Sequence, residues 1–96
     1  MYAFMLIPGF CVFETWTEHP DTNKQGAQYN PARTVDACKA ECVHEIECTA
    51  IDYSSDQFFP ECWLHGPWSA NNPLKPAAVP GILTHYVLTR QDIACK

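Results

Sequence analysis

Six cysteines and four histidines are the residues of this chain whose types carry redox, metal or nucleophilic chemistry. An even number of cysteines in a small chain is typical of a disulfide framework formed in an oxidising compartment. Residues four apart on a helix are poorly placed to bond each other, so a Cys38–Cys42 bridge is the least favoured pairing. The full set is Cys11, Cys38, Cys42, Cys48, Cys62 and Cys95.

A zinc site is the alternative use of these side chains. It would combine Cys38, Cys42 and Cys48 with His44 or His65. The chain lacks the C-x2-C spacing that is typical of structural zinc sites. We therefore predict no metal and no cofactor.

Acidic and catalytic patterns give no stronger signal. Asp52, Asp56 and Glu61 do not match the spacing of a calcium-binding loop, so we expect a solvated acidic turn there. No nucleophile elbow, metalloprotease helix or phosphate loop is present, and paired cysteines leave no free thiol. We predict no catalytic residues, and we interpret His85 as a structural position in a strand.

Charge and length exclude several classes of partner. The 96 residues carry a net charge of -5, and the six lysines and arginines are scattered singly. Without a basic stripe, binding of nucleic acid, heparin or anionic lipid is not expected. The apolar run at residues 1–7 is too short to span a bilayer, so we predict no membrane insertion.

The cysteine-bearing middle of the chain is predicted to form one helix. Thr34 is a suitable N-cap, and the segment from Val35 to about His44 has neither Gly nor Pro. Val35, Cys38 and Cys42 recur at three- and four-residue steps, so they share one face. Each cysteine is thereby able to link the helix to a different neighbour.

Short β-prone runs surround this helix, at residues 11–16, 49–53, 62–64 and 82–89. Residues 19–31 and 65–81 are rich in Pro, Asn, Asp and Gly and are predicted to be loops. We predict an α+β fold with one helix packed across a small antiparallel sheet. Residues 11–96 would form a single domain, preceded at 1–10 by an apolar arm or an initial strand.

The cysteine spacing Cys38-x3-Cys42-x5-Cys48 followed by Cys62, with nearby aromatic residues, resembles the PAN/apple family. The resemblance covers nearly the whole chain and implies a helix lying across an antiparallel sheet. It also implies that Cys38 pairs with Cys62 and Cys42 with Cys48. The outer pair, Cys11 with Cys95, corresponds to the six-cysteine apple subtype.

Large aromatic residues in predicted loops and strand ends are the candidate ligand contacts. Such side chains stack on sugar rings or anchor a protein interface. The alternative is that they fold back over a small core. The candidates are Tyr29, Phe58, Phe59, Trp63 and Trp68.

The resemblance implies a secreted, non-enzymatic recognition module of the adhesion type. Its expected partner is an extracellular protein or a neutral glycan. The alternative is a structural subunit that self-associates through the apolar arm at residues 2–7.

Overall fold

Seven strands and one α-helix make up the part of the chain that the structure describes. The structure is a computed structural model that covers residues 10–94, with side chains described from residue 13 to residue 91. The elements are β1 (Phe10–Pro20), β2 (Thr22–Lys24), β3 (Gln28–Asn30), α1 (Val35–His44), β4 (Ala50–Ser54), β5 (Glu61–His65), a 3-10 helix (Pro67–Ser69), β6 (Leu74–Pro76) and β7 (Leu83–Ala94).

The strands form two antiparallel sheets. The main sheet has the order β1-β7-β4-β5-β3, and β2 pairs with β6 in a separate two-stranded ribbon. The central strands β7, β4 and β5 therefore each pair with a strand on both sides. Since a single helix packs on a mostly antiparallel sheet, the predicted α+β class is confirmed.

Helix α1 begins and is fastened to the sheet as its sequence predicts. The Thr34 hydroxyl accepts a hydrogen bond from the Ala37 N–H at 3.0 Å, which caps the helix. Cys38 and Cys42 are fully buried on one face of the helix. Cys38 is bonded to Cys62 of β5, and Cys42 is bonded to Cys48 just past the helix. These are two of the pairs that the family resemblance implies.

The C-terminal end of α1 is held by an arginine from the last strand. The guanidinium of Arg90 donates to the carbonyl oxygens of Cys42 and Val43 at 3.2 Å and of Cys48 at 2.8 Å. The last carbonyls of a helix lack the usual i+4 partner, although the Cys42 oxygen also accepts from the Glu45 N–H at 3.1 Å, and a cation beside them complements the negative end of the helix dipole. Arg90 thus ties β7 to the helix end that the Cys42–Cys48 disulfide constrains.

The period-two alternation of the strands gives the main sheet two different faces. Ile51 and Tyr53 of β4, with Leu64 of β5, pack with the buried cysteines into the apolar core beneath α1. Asp52, between Ile51 and Tyr53, points to the opposite face. There the Lys24 N–H of the ribbon donates to the Asp52 carboxylate at 3.1 Å. The ribbon therefore covers the sheet face that the helix leaves open.

The two predicted loops contain more regular structure than the sequence indicates. Residues 19–31 include the end of β1 and all of β2 and β3, and residues 65–81 include the 3-10 helix and β6. Both loop predictions were wrong at these positions. Strands of three residues are too short to show alternation, and β2 finds its partner β6 about fifty residues away.

Two predictions lie outside the described residues. The apolar arm at residues 1–10 falls there except for the backbone of Phe10. The Cys11–Cys95 pairing also falls there, because neither side chain is described.

Candidate functional site

On the face of the main sheet opposite α1, one residue from each strand contributes to a continuous row. Along the registers, His19 of β1 lies opposite His85 of β7, and His85 lies opposite Asp52 of β4. Asp52 lies opposite Trp63 of β5, which lies opposite Tyr29 of β3. The row joins a half that contains two histidines to an aromatic half, with Asp52 at the junction.

Asp52, His65, Ser69 and His85 form the buried polar cluster on this face. The two Asp52 oxygens contact His65 Nε2 and His85 Nδ1, each at 2.7 Å. His65 Nδ1 lies 2.7 Å from the Ser69 hydroxyl. All four residues are at most 4 % exposed. The sheet supplies three of them from adjacent strands, and the 3-10 helix brings Ser69 underneath His65.

An arrangement with neutral histidines satisfies the cluster. With neutral rings, His65 Nε2–H and His85 Nδ1–H donate to Asp52, and His65 Nδ1 accepts from the Ser69 hydroxyl. Among the described residues, no buried side-chain nitrogen or oxygen lacks a hydrogen-bond partner. The cluster is thus a complete network that holds a buried carboxylate between two imidazoles, which keeps the cost of burying charge low.

The order Ser69–His65–Asp52 resembles a nucleophile, base and orienting acid. Two features separate it from a hydrolytic site. In the serine-protease template the nucleophile bonds Nε2 and the acid bonds Nδ1, whereas here the two ring nitrogens are exchanged. The Ser69 side chain is also enclosed, with the residue only 2 % exposed, so a substrate carbonyl has no path to its oxygen. The cluster therefore differs from the serine-protease template in both ring orientation and access.

The carboxyl group of Asp52 has a perturbed pKa. Burial raises this pKa, but hydrogen bonds from His65, His85 and the Lys24 N–H, with attraction to His65, more than compensate. The net result is a pKa below the ordinary value of 3.8. The carboxylate is therefore ionised under all near-neutral conditions.

Acid should weaken the fold through this group. Because the pKa of Asp52 is lower in the folded chain than in the unfolded chain, its stabilisation is complete above about pH 5 and is lost as pH falls through the folded value. We expect the difference in free energy of unfolding between the natural chain and Asp52→Asn to shrink between about pH 5 and pH 2. Urea unfolding at graded pH in metal-free buffer measures it, and a difference constant across that range would contradict the assignment.

A cavity of about 420 Å³ opens beside the cluster, between the main sheet, the ribbon and the segment before β7. One wall is polar, formed by Asn23, Lys24, Asp52, Ser54 and Glu61. The indole of Trp63, Gly26 and a set of aliphatic residues form the rest, namely Ala27, Ala77, Ala78, Val79, Ile82 and Leu83. A cavity that combines an aromatic surface with a few convergent polar groups is the usual form of a small-ligand site.

The five aromatic residues predicted to contact a ligand lie in three different environments in the structure. Trp63 lines the cavity, and Tyr29 packs edge-on against it with ring centroids 5.2 Å apart. Trp68 folds back on the core, with its indole N–H donating to the Leu64 carbonyl at 3.1 Å. Phe58 and Phe59 are more than 70 % exposed on the β4–β5 turn and do not line the cavity.

Sequence reasoning missed the buried polar cluster. The solvated-turn interpretation was wrong for Asp52, which is 4 % exposed inside β4. His85 does occupy a strand, but it also bonds Asp52. A partial signal was present, because Asp52 interrupts a β-prone run and His85 belongs to a predicted strand, whereas His65 was assigned to a predicted loop and lies at the end of β5. The register that brings them together is not visible in the sequence.

The side chains that could bind a metal ion also differ from the cysteine-based zinc ligands that the sequence offered as an alternative. Cys38, Cys42 and Cys48 are all in disulfides, which excludes the cysteine-based zinc alternative. Instead Asp52, His65 and His85 each offer one ligand atom, and these three atoms lie within 4.8 Å of one another. One carboxylate and two imidazoles are a donor set that suits zinc and other divalent transition metals.

Comparisons with known proteins identify no family. No protein-family model matches the chain, and neither the curated proteins nor the solved structures contain a significant match. Within residues 10–94, no helix has the length and apolar character needed to cross a bilayer.

Proposed function

We propose that this chain is a non-enzymatic, secreted recognition module of the PAN/apple type, and that its cavity binds a protein or carbohydrate ligand. The helix linked to an antiparallel sheet by Cys38–Cys62, with Cys42–Cys48 at the helix end, supports the family proposal. Two disulfides in so small a chain also support an oxidising, extracellular setting. The cavity beside Trp63 is the observation that carries the binding proposal.

The size of the cavity suits a single sugar residue or one inserted protein side chain. Ligand pockets are commonly about 300–1,000 Å³, and the volume of about 420 Å³ falls in the lower part of that range. Trp63 is half-buried and is braced by Tyr29, so its ring is held in place before a ligand arrives. Such preorganisation reduces the entropy that binding must overcome.

The chemistry of the cavity favours an uncharged ligand group. Lys24 brings a positive charge, Glu61 brings a negative charge, and the Asp52 carboxylate is already hydrogen-bonded to His65 and His85, so the lining carries charges of both signs. Asn23 and Ser54 can each donate and accept hydrogen bonds. A group with mixed donors and acceptors and one apolar face, such as a sugar ring or a backbone amide beside a side chain, matches this lining.

Replacing Trp63 should abolish most of the binding. In a screen of glycans and extracellular-matrix proteins, we expect Trp63→Ala to weaken binding of any hit by at least about tenfold, which is about 1.4 kcal/mol. Glu61→Gln, an exposed change on the polar wall, should weaken it less. The matched control is Phe58→Ala, which removes an exposed aromatic outside the cavity and should leave affinity unchanged.

Calorimetry on folded, oxidised protein measures these affinities and distinguishes the cavity from the β4–β5 turn as the binding site. Loss of binding in Phe58→Ala with full binding in Trp63→Ala would move the ligand to the β4–β5 turn and refute the cavity assignment. Equal melting temperatures of the variants would show that folding is not the cause.

A further inference from the structure

We propose that Asp52, His65 and His85 form a binding site for one divalent transition-metal ion, with Zn²⁺ as the best match. The proposal concerns the buried polar cluster and does not depend on what the cavity binds. Each residue offers one ligand atom, and the three atoms lie within 4.8 Å of one another. Two imidazole nitrogens and one carboxylate oxygen leave a fourth tetrahedral position open, as in many zinc sites.

The scaffold holds these ligands rigidly. Asp52, His65 and His85 come from β4, β5 and β7, three neighbouring strands in the middle of the main sheet. All three residues are at most 4 % exposed, so their ring and carboxylate orientations are fixed by packing. Rigid, preoriented ligands lose little conformational entropy when a metal binds.

Two of the ligands, His65 and Asp52, have the supporting contacts that metal-binding residues require. A metal-bound histidine normally donates its other ring N–H to an oxygen, which fixes the tautomer. Ser69 Oγ lies 2.7 Å from His65 Nδ1 and 3.5 Å from the Gly66 carbonyl, so the hydroxyl can turn from donor to acceptor. The Lys24 N–H orients Asp52 in the same way from the ribbon, at 3.1 Å.

Metal binding needs a tautomer change in each ring and no net loss of protons from neutral histidines. For His65 the proton now on Nε2 moves to Nδ1, and the freed Nε2 lone pair binds the ion. For His85 the proton moves from Nδ1 to Nε2. The ionised Asp52 carboxylate then binds the ion and no longer accepts the hydrogen bonds from His65 and His85. Ligand atoms around tetrahedral zinc lie about 3.3 Å apart, so the 2.7 Å contacts must lengthen by about 0.6 Å and the wider separations, which are at most 4.8 Å, must shorten.

The ion has a route to the site. Asp52 lines the cavity, so the carboxylate is the first ligand that an ion entering from solvent would meet. His19 of β1 neighbours His85 on the side away from Asp52, and the centroids of the two histidine rings are 6.1 Å apart.

The test is titration of chelator-stripped, oxidised protein, with any free thiol blocked by alkylation, with Zn²⁺ by calorimetry and Co²⁺ by absorption. We expect one ion per chain and the visible bands of tetrahedral Co²⁺. His65→Gln and His85→Gln should each weaken affinity at least about tenfold, as ligand loss does. His44→Gln, a histidine on α1 outside the cluster, is the matched control and should change affinity less than twofold.

A measurement on the natural chain keeps the proposal testable if a variant does not fold. Imidazole ¹⁵N spectra should show His65 and His85 exchanging their protonated nitrogens on addition of Zn²⁺. Tautomers unchanged at saturating Zn²⁺, an absence of binding, or binding that only His44→Gln weakens would each overturn the site and leave the cluster as a hydrogen-bond network alone.

Discussion

Replacing Asp52 by alanine is expected to lower the free energy of unfolding by about 3–5 kcal/mol in metal-free buffer. The carboxylate receives hydrogen bonds from His65, His85 and the Lys24 N–H, and it is 4 % exposed. Without it, two imidazoles lose their partner inside the protein, and each unsatisfied polar group costs about 1–3 kcal/mol. A small domain has only about 5–15 kcal/mol in total, so the variant should be close to unfolding.

Urea unfolding followed by tryptophan fluorescence measures this loss. Ser54→Ala, two residues along β4 on the same face and half-buried, is the control and should cost less than about 1 kcal/mol. If Asp52→Ala costs no more than the control, the buried polar cluster does not hold the ribbon and the sheet together.

Removing the disulfide between helix and sheet should have an effect of similar size. The chain-entropy model gives about 3–4 kcal/mol for a bridge that spans 24 residues, so the Cys38→Ala/Cys62→Ala double variant should lose that much stability. The Cys42–Cys48 bridge spans 6 residues and should contribute only about 2 kcal/mol. This second double variant is the matched control, since all four cysteines are fully buried.

Thermal and urea unfolding of both double variants gives the comparison. The critical result is which of the two double variants loses more stability. A larger loss for Cys42→Ala/Cys48→Ala would mean that anchoring the helix end, together with the Arg90 contacts, matters more than fastening the helix to β5.

The elements that local patterns encode were predictable from the sequence. Helix α1 has an N-cap hydroxyl at Thr34 and two cysteines on one face, and it was predicted with the bounds that the structure shows. Strands β4 and β5 came from short β-prone runs and match to within one or two residues. Each of these signals comes from residues that are close together in the chain.

The remaining features depend on pairings between distant segments. The ribbon joins β2 to β6, and the cavity wall combines Asn23 and Lys24 with residues 77–83. The buried polar cluster depends on the register that places Asp52 opposite His85, 33 residues away. A shift of one residue would turn Asp52 into the apolar core, and no local pattern specifies that register.

The candidate site was therefore found only in part. Trp63 was selected because it is a large aromatic residue between Cys62 and Leu64, and it lines the cavity. Trp68 was selected because it is a large aromatic residue in a predicted loop, yet its indole N–H donates to the Leu64 carbonyl and the residue packs on the core. Aromatic type alone does not reveal which face of the molecule a side chain joins.

Mapping the bound ligand on the ¹⁵N-labelled chain by NMR tests the central claim most directly. With any glycan or protein found in the screen, we expect the largest shifts at the Trp63 indole, at Asn23 and at residues 77–79, with Phe58 and Phe59 unaffected. Shifts confined to Phe58 and Phe59, or to the residues before β1, would contradict the cavity as the recognition site and favour the turn or the N-terminal arm.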